Sequence, residues 1–530
     1  MQSPLHNDNS PAPLKRRSLA ALGLAAALVG WAATGPATAA PAPGGAANLA
    51  MIGEPQGLDP MVSTADLVGT IMQHVYEPLY TFDANWAIAP MLAESLPTVS
   101  KDGLTYTIPL RKGVKLHNGR DLNADDVVAS LQRWMELSPR GKSVAKEVAS
   151  LSATAVKGGP AVELKLKAPY APLLAQLALP SGMAAIMAKE SIAPQLKDFI
   201  GTGPYKFKER RPDQFTVLTR FDGYSARKEP ASGYAGKREA LLDELRFVPV
   251  PNANTRVEGA LSGQFHFADL LPVEAVGRIE KGAPAVVPIM TKNFGFPYIV
   301  FNTKEGVLSQ QPLRRAVQTA VGTGELLAAG FGDNRFFTVE PNFFPKGTPY
   351  YAEAGARLYN ERNPQAAKDQ AAKAGYNGQP VRIMASRQYE FHYNMALVMA
   401  EQLKKAGFKT ELQVVDWATL VQRRNDPKLW DVYFTHSGLF PEPMLSPPQL
   451  GDGAPGWWET AAKKSTLAAF NQETNLAKRG PLWGAVQQAV YDEVPFIEVG
   501  KFNSLSARSA KLEGYTPAIW PFFWNTGLAK

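Results

Sequence analysis

Cysteine is absent from all 530 residues. That excludes disulfides, thiolate metal sites, iron–sulfur clusters, cysteine nucleophiles and a lipid-modified N-terminal cysteine. Concentrated charge is also missing: 56 basic and 48 acidic residues are spread along the chain without any long block of one sign, for a formal charge of +8. A nucleic-acid reader gathers its charge into a patch or stripe, so nucleic acid is not an expected partner. No apolar run beyond the N-terminal region approaches the roughly 20 residues a spanning helix needs.

Catalytic signatures are lacking as well. Gly141-Lys142-Ser143 has Glu136 where a phosphate loop requires glycine, and Gly201-Thr202-Gly203 has Lys206 where a dinucleotide fingerprint requires its third glycine. Neither G-x-S-x-G nor H-E-x-x-H occurs, and the histidines (His6, His74, His117, His266, His392, His436) are scattered. Asp125-Asp126 stands at a helix start, where carboxylates stabilise the dipole rather than exchange protons with a substrate. The expectation is a protein that is not an enzyme and carries no cofactor and no resident metal.

What is present is a folded-protein composition, 45% hydrophobic and 20% charged, long enough for two to four domains at roughly 100 to 200 residues each. Residues 1–39 read as an export signal. Lys15, Arg16 and Arg17 precede an apolar run from Ser18 to Ala33, and Ala37-Thr38-Ala39 offers a small-residue cleavage site before Ala40. Arg16-Arg17-Ser18-Leu19 resembles a twin-arginine signal, and an ordinary secretory signal fits the same residues.

Leu104, Tyr106, Ile108 and Leu110 alternate with strand period, as do Val162, Leu164 and Leu166. Between them Asn123 is placed to cap a helix whose apolar face is Val127, Leu131, Trp134 and Met135. From Pro380 onward, strand patterns at Val381 to Ala385, Glu411 to Val415 and Trp430 to Phe434 alternate with helical ones over Ala396 to Leu403 and Trp417 to Arg424. That alternation predicts a parallel, right-handed, doubly wound unit. Ligands of such sheets bind at the carboxyl ends of the strands. The loops there are Ser386-Arg387-Gln388-Tyr389 and Thr435 to Pro443, which bring a guanidinium, a phenol, an imidazole at His436, a hydroxyl at Ser437, free amides near Gly438 and the Glu442 carboxylate.

In order along the chain stand Leu58-Asp59-Pro60, Val75-Tyr76-Glu77-Pro78-Leu79-Tyr80, Pro90-Met91-Leu92-Ala93-Glu94-Ser95 and Leu110-Arg111-Lys112-Gly113-Val114-Lys115-Leu116-His117-Asn118-Gly119. Gly201-Thr202-Gly203-Pro204-Tyr205, Phe301-Asn302-Thr303, Leu313-Arg314-Arg315-Ala316-Val317 and Trp524-Asn525 follow. The sequence thereby resembles the family 5 extracellular solute-binding proteins, the peptide and nickel receptors of ABC importers. The resemblance implies an α/β clamshell of two lobes (class II type) with an additional small α+β domain: lobe I over 40–78, 200–300 and 500–530, the extra domain over 79–199, and lobe II over 300–499. It implies a monomer in the periplasm, exported, soluble and not lipid-anchored, that closes around a solute and docks on a membrane permease.

The resemblance also supplies site residues. Arg387 falls at or next to the arginine that takes a ligand carboxylate in peptide-binding members; the alternative is an arginine lying on the surface. Thr64 corresponds to a ligand-contacting position of lobe I, and Ser437 and Gly438 to backbone contacts in lobe II. Leu439 stands where dipeptide binders have an aspartate for the ligand's amino group, a departure that disfavours a free dipeptide, because an unpaired buried ammonium is costly. Glu442 either reaches in or serves the loop turn. Tyr389 and Trp417 are suited to stack on a ring or amide face, or to pack in the core. His392 and His436 keep a nickel chelate open as cargo, alongside an opine or oligosaccharide. A chemosensory or chaperone role without transport is the competing class.

Overall fold

The computed structural model describes residues 43–529, so the export signal expected over residues 1–39 lies outside the described residues. Among the described residues no helix is long and apolar enough to cross a membrane.

Twelve strands form one mixed sheet. At one end Val381–Ser386 lies between Thr410–Val415 and Val432–Gly438, parallel to both. The helices Glu390–Lys405 and Trp417–Arg423 make the crossovers. This is the doubly wound unit that the apolar periodicity predicts, with one difference. The third strand is Val432–Gly438, not Trp430 to Phe434. Trp430 and Asp431 precede it, with Asp431 accepting from the Arg382 guanidinium. Thr435 to Gly438, read as loop from their polarity, continue the strand by pairing antiparallel with Gly295–Tyr298. A distant partner here outweighs local propensity.

At the other end Ala46–Met51 lies between Glu244–Pro249 and Phe267–Leu271, parallel to both, with Ala253–Leu261 as the crossover helix. Phe215–Arg220 and Tyr205–Arg211 extend that edge antiparallel. Two long strands join the ends. Val286–Phe301 pairs through its first residues with Lys501–Ser509 and through its last with Val432–Gly438. The exchange of partners falls at a bulge between Thr291 and Gly295, where Asn293 is left-handed (φ 49°) and its N–H donates to Asn503 Oδ1 at 2.9 Å.

A separate four-stranded sheet, in the order Thr98–Val99, Thr105–Pro109, Gly159–Leu166, Val148–Val156, carries the helices Ala124–Leu137 and Pro139–Glu147. Its first helix starts as read: Asn123 and Asp126 form a reciprocal capping box, and Asp126 also receives a bidentate Arg120. Glycine at 201 and 203 has a packing reason, since a Cβ at either would drive into the backbone carbonyls of Val75 and His74. His74 is fully buried, and its Nε2 accepts from Phe523 N–H at 2.9 Å, tying the C-terminal segment to the chain just after the helix Asp66–Met72. Desolvation takes its pKa down to about 3, which keeps it neutral and able to accept.

Candidate functional site

Four rings come together where Tyr389 and His392 follow Val381–Ser386, Trp417 follows Thr410–Val415, and His436 stands near the carboxyl end of Val432–Gly438. Tyr389 stands edge-on to His436 with centroids 4.7 Å apart and to Trp417 at 5.0 Å, and the two imidazoles are 5.1 Å apart. Trp417 begins its helix beside Asp416, whose carboxylate caps it, while Gln388 Oε1 accepts from Trp417 N–H at 2.7 Å. The site therefore rests on two helix starts, each fixed to a strand end.

His436 Nδ1 and His392 Nε2 are 3.1 Å apart, and the other nitrogen of buried His392, Nδ1, has no hydrogen-bond partner. The cheaper tautomer puts the shared proton on His392 Nε2, so that an acceptor rather than a donor goes unmet. His436 then carries its proton on Nε2, a donor for a solute carbonyl or carboxylate. Burial lowers His436 to about 4. Burial, with the second imidazole adding to it, also takes His392 well below the ordinary imidazole range, so both rings are neutral at pH 7. Among the described residues no group of three or more His, Cys, Asp or Glu is placed to hold a metal ion.

Arg387 is not brought to this group. It is exposed and folds over the Tyr393 ring at 4.4 Å, its Nη2 donating to Tyr393 OH at 2.9 Å. Ser437 bonds through its hydroxyl to Ser446. Gly438 has no room for a side chain, because a Cβ would run into the Phe440 ring. Their backbone is half spent: one edge of Thr435–Gly438 pairs with Gly295–Tyr298, whereas pairing with Val381–Ser386 ends at Met384↔Tyr433. An open strand edge thus lies beside Tyr389 and Trp417. Glu442 serves its loop: it accepts both guanidinium arms of Arg479 at 2.6 and 2.8 Å and caps the turn at Pro443–Leu445.

Leu439 lines a cleft of about 1340 Å³ that also takes in Trp86, Tyr234, Phe344, Tyr350 and Phe522. Trp86 enters it from a left-handed turn position (φ 61°). Tyr389 and His436 line a second space of about 120 Å³ with Arg256, Leu270 and Phe502.

The facing wall holds Thr64, exposed, whose carbonyl accepts from Ser181 Oγ at 2.7 Å. Beside it are groups that sequence reasoning missed. Asp66 Oδ1 accepts from Trp520 Nε1 at 2.8 Å. Asp66 keeps an open face, yet the protein gathered around it pushes its carboxyl pKa up by desolvation, held back by the Trp520 bond and by Arg140. Asp269 is raised to about 6, chiefly by burial against the pull of Arg256. Arg256 itself is engaged by the carbonyls of Val250, Pro251, Asp269 and Leu270. Asp66 was within reach of a reader who had singled out Thr64 in the same segment; Asp269 and Arg140 carry no local signal.

The two walls touch at the rim. Arg140 spans it, its Nε donating to Ser181 O and its Nη1 to Leu445 O, each at 3.0 Å. Lys146 pairs with Asp452 at 2.9 Å, and Phe440 stacks on Trp520 with centroids 5.1 Å apart. The arrangement can grip a solute: aromatic faces, an open backbone edge and a neutral imidazole donor on one wall, a carboxylate on the other.

Residues 87–454 match the model of the bacterial extracellular solute-binding proteins, family 5 Middle. The chain is 25% identical over 487 residues to a probable peptide ABC transporter periplasmic-binding protein of Sinorhizobium fredii, covering 88% of this chain and 90% of that one. It is 25% identical over 527 residues to the glutathione-binding protein of Pectobacterium atrosepticum, covering 95% and 96%. In three dimensions it is similar to the oligopeptide-binding protein of Bacillus subtilis solved with a nonapeptide, with a TM-score of 0.76, 24% identity, and 92% and 100% of the two chains covered. That likeness gives the fold class, a two-lobed α/β binding protein with an added small domain.

Proposed function

Because the chain belongs to the bacterial extracellular solute-binding proteins of family 5, we propose that it is the periplasmic receptor of an ABC importer. It captures a peptide or a peptide-like, carboxylate-bearing solute between its lobes and delivers it to the permease subunits in the membrane. The observation that carries this reading is the open edge of Thr435–Gly438 beside Tyr389, Trp417 and His436, where Tyr389 and His436 line the smaller space and the next residue of the strand's chain, Leu439, lines the large cleft. An extended peptide satisfies such an edge with its own backbone while its side chains enter the space alongside. The cleft, about 1340 Å³, is larger than the roughly 300 to 1,000 Å³ usual for small-molecule pockets, and favours an oligopeptide over a dipeptide. The names of relatives point the same way, toward peptides and glutathione.

The lobes close by bending where the long strands cross, at 291–295 and near 501–504. Closure places the Arg140, Lys146 and Phe440 contacts around the solute. Without cysteine the chain takes no thioether-linked lipid, and we read it as a free periplasmic monomer. A nickel chelate is less favoured, because the two imidazoles bond to each other and, among the described residues, no third His, Asp or Glu joins them to hold a metal ion.

The test is the thermal shift of purified protein with di- to pentapeptides, nickel with histidine, opines and oligosaccharides. A ligand at 100 times its Kd adds about 2.7 kcal/mol of stability. Peptides of three or more residues are expected to stabilise, and Tyr389→Ala is expected to weaken them about tenfold through lost stacking. Stabilisation by the chelate, opine or sugar alone would discard the peptide. Uptake of the same peptide that persists without a permease would discard the import role.

A further inference from the structure

Several charged groups around the cleft are spoken for. Glu442 is held by Arg479, and position 439, at the centre of the same loop, is leucine. Arg256 is engaged by four backbone carbonyls. Arg140 donates to Ser181 O and Leu445 O and makes no ion pair with Asp66. Asp66 differs from all of these. One oxygen is fixed by the indole of Trp520, and among the described residues no hydrogen bond or ion pair engages the other. The carboxylate is exposed, and it lies between two places where the lobes meet: Trp520, its hydrogen-bond donor, is stacked under Phe440, and Arg140, whose charge acts on it, reaches Leu445 O. Loop 439–445 of lobe II therefore comes down over it.

We propose that Asp66 is a specificity-determining residue that accepts a positively charged ammonium group of the solute, from the lobe I wall, opposite a loop 439–445 whose one carboxylate, Glu442, is held by Arg479. This rests on the reading that the solute lies between the lobes. A carboxylate oriented by one indole N–H, with its other oxygen open where the two walls meet, is pre-organised for a charge-assisted hydrogen bond. Around it stand Arg140, Tyr234, Tyr389 and Asp269. The ammonium would add the charge that the site lacks: with Arg256 beside Asp269, only Arg140 is left facing Asp66, at longer range.

The experiment compares wild type with Asp66→Asn and Asp66→Glu against three probes: a mixed tripeptide library without Lys or Arg, the same library N-acetylated, and spermidine. Asparagine keeps an oxygen for the Trp520 N–H, so the unliganded melting midpoint of Asp66→Asn should match wild type and serves as the folding control. Wild type is expected to prefer the free-amine library at least tenfold over the acetylated one. Asp66→Asn should abolish that preference while still binding the acetylated library, and Asp66→Glu should restore part of it. A full free-amine preference in Asp66→Asn, or none in wild type, overturns the proposal and leaves the peptide reading standing. Spermidine binding that is lost in Asp66→Asn, with both libraries silent, upholds the proposal and discards the peptide. Silence of all three probes overturns both.

Discussion

The two walls of the cleft handle charge in opposite ways. On one side, at His392 and over 436–442, charge is cancelled: Glu442 is locked to Arg479, and burial holds His392 and His436 neutral. On the lobe I side a carboxylate is left open at Asp66. A wall without net charge can accept many side chains against its rings and strand edge, whereas a wall with one free charge selects. Breadth and discrimination thus fall to different lobes, and the solute experiences both only when the lobes meet.

The largest effect should come from breaking the neutrality of lobe II at its source. Arg479→Met leaves Glu442 buried beside Tyr350 with its charge uncompensated, at a cost of about 3 to 5 kcal/mol. Chemical denaturation should read this as a lower midpoint with an unchanged slope. A loss below about 1 kcal/mol would mean that the pair is not what keeps this wall neutral.

Acid should charge the same wall by another route. His436 has a folded pKa of about 4 against an ordinary 6.5, so the unfolded chain binds its proton first. Its contribution is therefore full above pH 6.5 and is lost as the pH falls from there through 4, to a ceiling of about 3 kcal/mol. His436→Gln should flatten the stability profile in that window; an unaltered slope would assign the acid sensitivity elsewhere, for example to His117, which burial also lowers to about 4.

The smallest effect belongs to the rim. Lys146 and Asp452 pair across the walls with side chains each 60% exposed, so Lys146→Ala should shift stability by less than about 1 kcal/mol. Small-angle scattering should detect at most a slight rise in the open population. A large opening would move the selective step from Asp66 to the rim.

Much of the scaffold was legible because it is written in local periodicity. The strands and helices from Val381 to Arg423 follow apolar spacing, and the capping box at Asn123 is a three-residue relation. Tyr389, Trp417 and His436 were within reach for the same reason, through the rule that ligands meet the carboxyl ends of parallel strands. What escaped depends on residues far apart in the chain. Thr435 to Gly438 look like a loop until Gly295–Tyr298 pairs with them. Arg387 reads as a carboxylate fork until Tyr393, one helical turn and a half on, takes it. Asp66 becomes a distinct group only when the C-terminal Trp520 and the loop around Phe440 arrive beside it.

The strand Val286–Phe301 belongs to both ends of the sheet, and its partner Lys501–Ser509 returns beside it. A molecule sewn together along one doubled ribbon cannot shear or come apart; it can only fold along the seam, like a book on its spine. Its position along the path from open to shut is then close to a single number. A pair of dyes placed at Lys146 and Asp452, on opposite covers, should report that number directly, making the protein a ratiometric sensor for whatever it carries.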